Sequence, residues 1–241
     1  MTLRFRLFTC ATLVAALGFL SAPVATSADV PPDAAKAATA ADVAALQKKL
    51  EELGATPKPG IARTARALSL TLLVYGDDAT KAQAAKVYAG IKMKEKDFKA
   101  GIEAGKGLTS PKGGKFDPKA IEGTYELHEI MQPFALARSG GLNIEKDLRD
   151  AIKAGKIDSK DAIVMGARTA ALADYTAKLP TDKAMTNAGM KTKWERWAKD
   201  MGAAGKELCD TAAKNDAKAV LAAMKKLDAS CSNCHNDFRN E

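Results

Sequence analysis

The sequence predicts an all-α protein. Ala and Lys dominate its 241 residues, and aromatic residues make up only 5%. Runs of β-branched residues are scarce, and a composition of this kind favours helices over sheet. Apolar residues recur at helical spacing along most of the chain, with Gly and Pro clusters between the periodic stretches. We therefore predict a C-terminal four-helix bundle that is preceded by a smaller helical region.

Residues 1–28 have the pattern of a secretory signal peptide. Arg4 and Arg6 precede an apolar stretch that runs to Leu20, and Thr26-Ser27-Ala28 forms a small-residue cleavage site. The apolar core is too short for a convincing transmembrane helix. We therefore expect export to the periplasm, and membrane contact only if the signal peptide is retained.

The remaining chain divides into a leader, an N-terminal helical region, a linker and the bundle. Pro31-Pro32 and many alanines predict a flexible leader over 29–39. The N-terminal region, 40–106, carries no visible chemistry. Its predicted helices are 41–53, 61–75, one capped by Asp78, and a weaker one at 94–105. Ser110-Pro111 and Gly113-Gly114 mark 107–116 as a linker.

The predicted bundle occupies 117–241 and opens with Asp117 as an N-cap and Pro118 at the first helical position. Helix A is predicted over about 118–138, with Pro133 expected to kink or shorten it. The others are a short connecting helix at 144–154, helix B at 159–178, helix C at 187–212 and helix D from Asn215-Asp216 almost to the end.

Five residues near the C-terminal end, Cys231-Ser232-Asn233-Cys234-His235, form a Cys-x-x-Cys-His motif. This is the attachment signature of a c-type haem. On a helix, positions i, i+3 and i+4 share one face. Two thiols can therefore bond one edge of a porphyrin while the imidazole turns under the ring to bind iron. The motif predicts one covalent haem c per chain.

Other uses of the two cysteines were considered. With Cys209 and His128, the motif residues would suffice for a zinc site of three cysteines and one histidine, but the usual second close-spaced ligand pair is missing. A redox dithiol would need a βαβ context that the sequence lacks, and a disulfide is the remaining alternative. Haem is the preferred interpretation. Haem attachment does not use Cys209, which we expect to be a buried, unreactive thiol.

The predicted helix D supports this interpretation. Its apolar residues and the two motif cysteines are spaced alternately by four and three positions, which is the seam of a bundle helix. The members are Val220, Met224, Leu227, Cys231, Cys234 and Phe238. The haem-binding residues continue the buried stripe, so we expect the porphyrin in the core near one end of the bundle.

Four helices with this motif near the C-terminus resemble the cytochrome c-prime family and its low-spin, methionine-ligated relatives. The resemblance covers roughly 117–241, and the Phe-Arg pair after the motif is characteristic of that family. It implies that Cys231 and Cys234 form the thioethers and that His235 is the proximal iron ligand. It further implies that Phe238 packs against the haem. Arg239 would lie near the propionates or the outer side of the histidine, unless it is simply a solvated terminal charge.

The resemblance leaves the sixth iron ligand open. In the low-spin relatives a methionine on helix A binds iron, and Met131, between Ile130 and Gln132, occupies a comparable place. His128 stands one turn earlier on nearly the same face, and an open site is the third option. Met131 is the preferred ligand, although Pro133 departs from the family pattern at this point.

The ligand decides the expected function. A methionine ligand raises the potential and closes the site, which suits single-electron transfer rather than enzymatic turnover. A five-coordinate iron would instead bind nitric oxide or carbon monoxide, and nitric-oxide scavenging would then be an alternative function.

Charge bears on the expected partners. Removal of residues 1–28 takes away two basic residues and no acidic one, so the net charge falls from +8 to +6. We expect periplasmic redox partners. The sequence has no cluster of basic and aromatic residues that would indicate nucleic-acid binding. Members of the family often dimerise through helices A and B, which leaves a homodimer open.

Overall fold

The computed structural model describes residues 30–111 and 116–239. Within these ranges the protein is all-α, as predicted, and the one extended pairing is an isolated antiparallel bridge between Lys92 and Asp97. No helix in this part of the chain is long and apolar enough to cross a membrane. The predicted signal peptide lies outside the described residues.

The N-terminal half contains four α-helices that pack in sequence, each against the next. They are α1 (Pro32–Ala55), α2 (Pro59–Tyr75), α3 (Asp78–Gly90) and α4 (Lys99–Gly105). Asp77, rather than Asp78, caps α3 by accepting a hydrogen bond from the Thr80 amide at 2.7 Å. α2 is buried along most of its length, because it lies between α1 and α3 and also contacts α5 (Leu127–Met131) and α7 (Ser159–Ala177).

The start of α1 differs from the flexible leader predicted over 29–39. The helix begins at Pro32, the first helical position, where a proline lacks no hydrogen bond that the helix could make. Ala34 and Ala38 lie one turn apart and are both buried. The alanines therefore extend the helix and pack, where the sequence analysis interpreted them as leader.

The segment predicted as helix A is not a continuous helix. Asp117 caps a 3-10 turn at Pro118–Ile121, α5 spans only Leu127–Met131, and further 3-10 turns follow at Gln132–Phe134 and Ala137–Ser139. Two features interrupt it. Gly123 has a φ of +72°, which a helix does not allow, and Pro133 has no amide proton with which to continue α5.

The rest of the bundle agrees with the predicted helices. It comprises α6 (Ile144–Ala154), α7 (Ser159–Ala177), the short α8 (Asp182–Met185), α9 (Ala188–Ala213) and α10 (Ala217–Phe238). α9 lies against both α7 and α10, and α6 packs on α10. α7 and α9 approach closely at Gly166 and Gly205, where a Cβ on Gly166 would lie 2.5 Å from the Gly205 carbonyl oxygen.

One hydrophobic core joins the two halves of the chain. Its fully buried members include Leu46 and Leu68 from the N-terminal helices and Leu172, Leu208 and Met224 from the bundle. α1 and α2 both pack on α7. The N-terminal helices therefore complete the core of the bundle beside the shortened helix A segment.

A buried polar network fixes this junction. Asp42 of α1 is fully buried, forms an ion pair with Arg168 of α7, and accepts hydrogen bonds from the hydroxyls of Thr71 and Tyr75 on α2. Removing one partner of a buried ion pair costs about 3–5 kcal/mol because the other charge is left uncompensated. The network therefore holds α1, α2 and α7 in one arrangement.

Candidate haem site

A cavity of about 550 Å³ lies between α5 and its following turn, the first half of α9 and the last turns of α10. Its volume is in the range of ordinary ligand and cofactor pockets. The walls are largely apolar and aromatic, with a few polar side chains. The Cys-x-x-Cys-His motif forms one of these walls.

Cys231, Cys234 and His235 project from the last two turns of α10, are half-buried and all line the cavity. The apolar seam that precedes them is buried, as predicted: Val220, Met224 and Leu227 belong to the main core. The motif therefore continues the inward face of α10 into the cavity.

The electrostatics of this wall favour uncharged motif residues. Burial raises the pKa of both the Cys231 and Cys234 thiols to about 11 in the unmodified chain. The pKa of His235 is lowered, first by burial and then by the Arg239 guanidinium, whose Nη1 lies 3.4 Å from His235 Nδ1. A neutral imidazole is the form that coordinates a metal.

A second wall comes from α5 and the turn after it. Met131 is half-buried and His128 is exposed, and both border the same cavity as His235. The structure thus brings both candidate sixth ligands to the cavity that the motif lines. Phe134, one residue after Pro133, lines it as well.

Aromatic side chains from α9 close the end of the cavity. Phe238 is buried and meets Trp194 edge to face, with the ring centroids 5.2 Å apart. The Trp194 Nε1–H donates to the Thr176 carbonyl oxygen at 3.1 Å. Phe238 therefore forms part of the cavity wall. Arg239 lies at its exposed rim, beside His235.

Asp237 ties the end of α10 to α9. It accepts hydrogen bonds from Trp197 Nε1 at 2.8 Å and from Lys193 Nζ at 3.3 Å. The hydrogen bond from Trp197 is the main reason why the pKa of Asp237 is lowered. The tie keeps the last turn of α10, with His235 and Phe238, against the cavity.

The sequence analysis missed three of the residues that shape this site. Asp237 acts through its hydrogen bonds to α9, whereas Glu145 of α6 and Met201 of α9 line the cavity. Glu145 lies 2.8 Å from Arg149, which in turn pairs with Asp228 of α10 at 3.0 Å. Met201 could have been found, because it shares a helical stripe with Trp194 and Trp197, whereas nothing local relates Glu145 to the motif.

The geometry does not assemble the zinc site considered above. Cys209 packs with Ala38 and Ala167 in a separate cluster, and its thiol donates to the Ile163 carbonyl oxygen at 3.2 Å. Within residues 30–111 and 116–239, no three His, Cys, Asp or Glu side chains are grouped as a metal site would need. By contrast, two thiols and an imidazole on one face, before an apolar cavity, fit the donor set of a c-type haem.

A family model described as Cytochrome C' matches residues 181–239, which hold α8, α9 and α10 with the whole motif. This segment of the chain is similar to the cytochrome c-prime family. The resemblance seen in the sequence is thereby confirmed, and it indicates a c-type cytochrome that binds haem. The match does not reach α5 with Met131. No curated protein and no solved structure matched the chain significantly.

Proposed function

We propose that this chain is an exported, monohaem c-type cytochrome that carries single electrons between periplasmic redox proteins. The observation that supports the proposal most directly is that the Cys-x-x-Cys-His motif and Met131 line the same cavity. A cavity with a thiol pair and an imidazole on one wall and a thioether on the other suits a six-coordinate haem.

The residues have distinct roles in this proposal. Cys231 and Cys234 would hold the porphyrin covalently, and His235 and Met131 would be the two iron ligands from the protein. Phe238 packs on the porphyrin and keeps water from it. Bound haem supplies the one-electron couple of its iron.

The surrounding protein favours electron transfer because it limits structural rearrangement around the haem. The Trp197–Asp237 hydrogen bond holds the turn that carries His235, and the Trp194–Phe238 contact fixes the aromatic wall. Side chains that are locked in this way do not rearrange when the charge at the centre of the cavity changes. The small net positive charge of the mature chain would steer an acidic redox partner.

A gas-binding function is the second candidate. Met131 is half-buried and His128 is exposed, so neither side chain is held by full burial at the cavity. If neither residue bound iron, an apolar pocket beside a five-coordinate haem would admit nitric oxide or carbon monoxide.

Carbon monoxide distinguishes the two functions. The full-length protein, produced by a host with export and haem-attachment machinery, is purified and its spectrum recorded in the oxidised and dithionite-reduced states before and after carbon monoxide is added. Electron transfer predicts sharp reduced bands, reversible one-electron titration and no rapid response to the gas. A broad high-spin spectrum with an immediate shift would support the gas-binding function instead, and absence of covalent haem would overturn both.

A further inference from the structure

The helix that carries both candidate sixth ligands is too short to hold its own position. α5 has five residues, and isolated helices of this length are not stable in water. Pro133 prevents its continuation, and Gly123 interrupts the chain before it. The position of Met131 must therefore be set by contacts with other parts of the fold, and α5 makes more of those contacts with α2 than with α7.

The first contact is a buried ion pair between Arg66 of α2 and Glu129 of α5. The pair is bidentate: Arg66 Nε meets one carboxylate oxygen, and Nη2 lies 3.3 Å from the other. The side chains are only 10% and 3% exposed. Arg66 also donates to the Thr124 carbonyl oxygen at 2.9 Å, just before α5. One guanidinium thus holds both the approach to α5 and its middle.

Arg66 is itself held rigidly. Its Nη1 donates to the Ile91 carbonyl oxygen at 2.9 Å, and its guanidinium lies 3.9 Å from the centre of the Tyr88 ring. Glu129 in addition accepts a hydrogen bond from the Glu126 amide at 3.3 Å, which caps the start of α5. The pair therefore fixes the orientation of α5 as well as its distance from α2.

The second contact is made by Thr64, two residues before Arg66 on α2. The Thr64 hydroxyl donates to the Gly140 carbonyl oxygen at 2.8 Å, in the turn that follows α5. Gly60 and Gly140 touch backbone to backbone there, and a Cβ on Gly60 would lie 2.0 Å from the Ser139 carbonyl oxygen. The turn after Met131 is therefore attached to α2, the helix with which Glu129 forms its ion pair.

From these contacts we propose that α2 positions the distal wall of the haem cavity, with Arg66 and Glu129 as positioning residues for the ligand at Met131. This gives the N-terminal helical region a role in the haem site that its own sequence does not reveal. The inference rests on the proposed haem function, since the wall has a distal ligand to place only if haem is bound.

The test compares three full-length variants with the parent protein. Glu129→Gln removes the charge and keeps an acceptor for the Glu126 amide. Thr64→Val removes the second contact with little change in shape. Asp42→Asn is the matched control, because it breaks a buried ion pair between α1 and α7, to which α2 is joined by hydrogen bonds at its far end from Thr64.

We expect Glu129→Gln to convert part of the low-spin haem to high-spin and to raise the apparent affinity for carbon monoxide, on the order of tenfold if the competent position is lost in most molecules. Thr64→Val should have a smaller effect in the same direction. Asp42→Asn should lower the unfolding temperature and leave both haem readouts unchanged. Equal spectra in Glu129→Gln and Asp42→Asn would overturn the inference.

Hydrogen exchange of the peptide covering 127–134 separates failure of this inference from failure of the proposed function. If the parent protein proves high-spin and reacts with carbon monoxide, the proposed ligand is wrong, but exchange still reports whether α2 holds the wall. Faster exchange of this peptide in Glu129→Gln and not in Asp42→Asn supports the positioning role. Equal exchange in the two variants contradicts it.

Discussion

Met131→Ala is expected to turn a low-spin haem spectrum into a high-spin one and to lower the midpoint potential. A thioether ligand favours ferrous iron, whereas a water molecule in its place would favour ferric iron. Loss of the thioether therefore stabilises the oxidised state and lowers the potential. Truncation to alanine also enlarges the cavity on the side of α5, where carbon monoxide would then bind. Optical spectra and a potentiometric titration of parent and variant measure both effects.

Met201→Ala is the control for this experiment. Met201 lines the same cavity from α9 and loses the same atoms, so it reports the effect of the added space alone. A spectrum that stays low-spin in Met131→Ala would assign the sixth position to His128. A parent protein that is high-spin before the mutation would leave the site open.

Replacement of both motif cysteines is expected to abolish covalent haem. In Cys231→Ser/Cys234→Ser, residues 30–111 and 116–239 leave no thiol beside the cavity, because Cys209 is fully buried in a different cluster. Haem that enters the cavity would then be held by ligands and packing only. We expect the variant to release its haem into acidified organic solvent, and a haem stain of a denaturing gel to be negative.

Cys209→Ser is the matched control, because it changes the same atom and its hydroxyl can keep the hydrogen bond to the Ile163 carbonyl oxygen. Burial raises the pKa of the Cys209 thiol to about 12, which keeps it in the unreactive thiol form. Full haem content in this variant is expected. Covalent haem in the double variant, or its loss from Cys209→Ser, would contradict the assignment.

The parts of the fold that the sequence predicted well are those with long, regular periodicity. α7, α9 and α10 follow from apolar stripes that continue over several turns, and the seam of α10 placed the motif at the edge of the core. In these helices the local preference and the tertiary packing agree. The cavity wall formed by the motif was therefore accessible to sequence reasoning.

The distal wall was not accessible in the same way. The segment has a helical sequence pattern, but Gly123 and Pro133 leave only α5 as an α-helix. What fixes the segment is the pairing of Arg66 with Glu129, two charged residues far apart in the chain. Neither carries a local signal of burial, and charged residues are seldom buried unless they are paired.

The alanines at the start of α1 illustrate the same limit. A Pro-Pro-Asp-Ala-Ala sequence suits either a flexible leader or a helix that starts at a proline. The structure selects the helix because Ala34 and Ala38 are buried, and Ala38 packs against Ala167 and Cys209. Small residues can pack closely in this way without forming an apolar stripe that could be recognised in the sequence.

We propose that His235 of α10 and Met131 of α5 bind one haem iron in a single cavity. X-ray absorption at the iron edge of the full-length protein is a direct test of this ligand set, since sulfur and nitrogen ligands scatter at different distances. We expect one sulfur ligand in addition to the porphyrin and imidazole nitrogens in the parent protein, and its loss in Met131→Ala but not in Met201→Ala. A parent iron with nitrogen or oxygen ligands alone would contradict it.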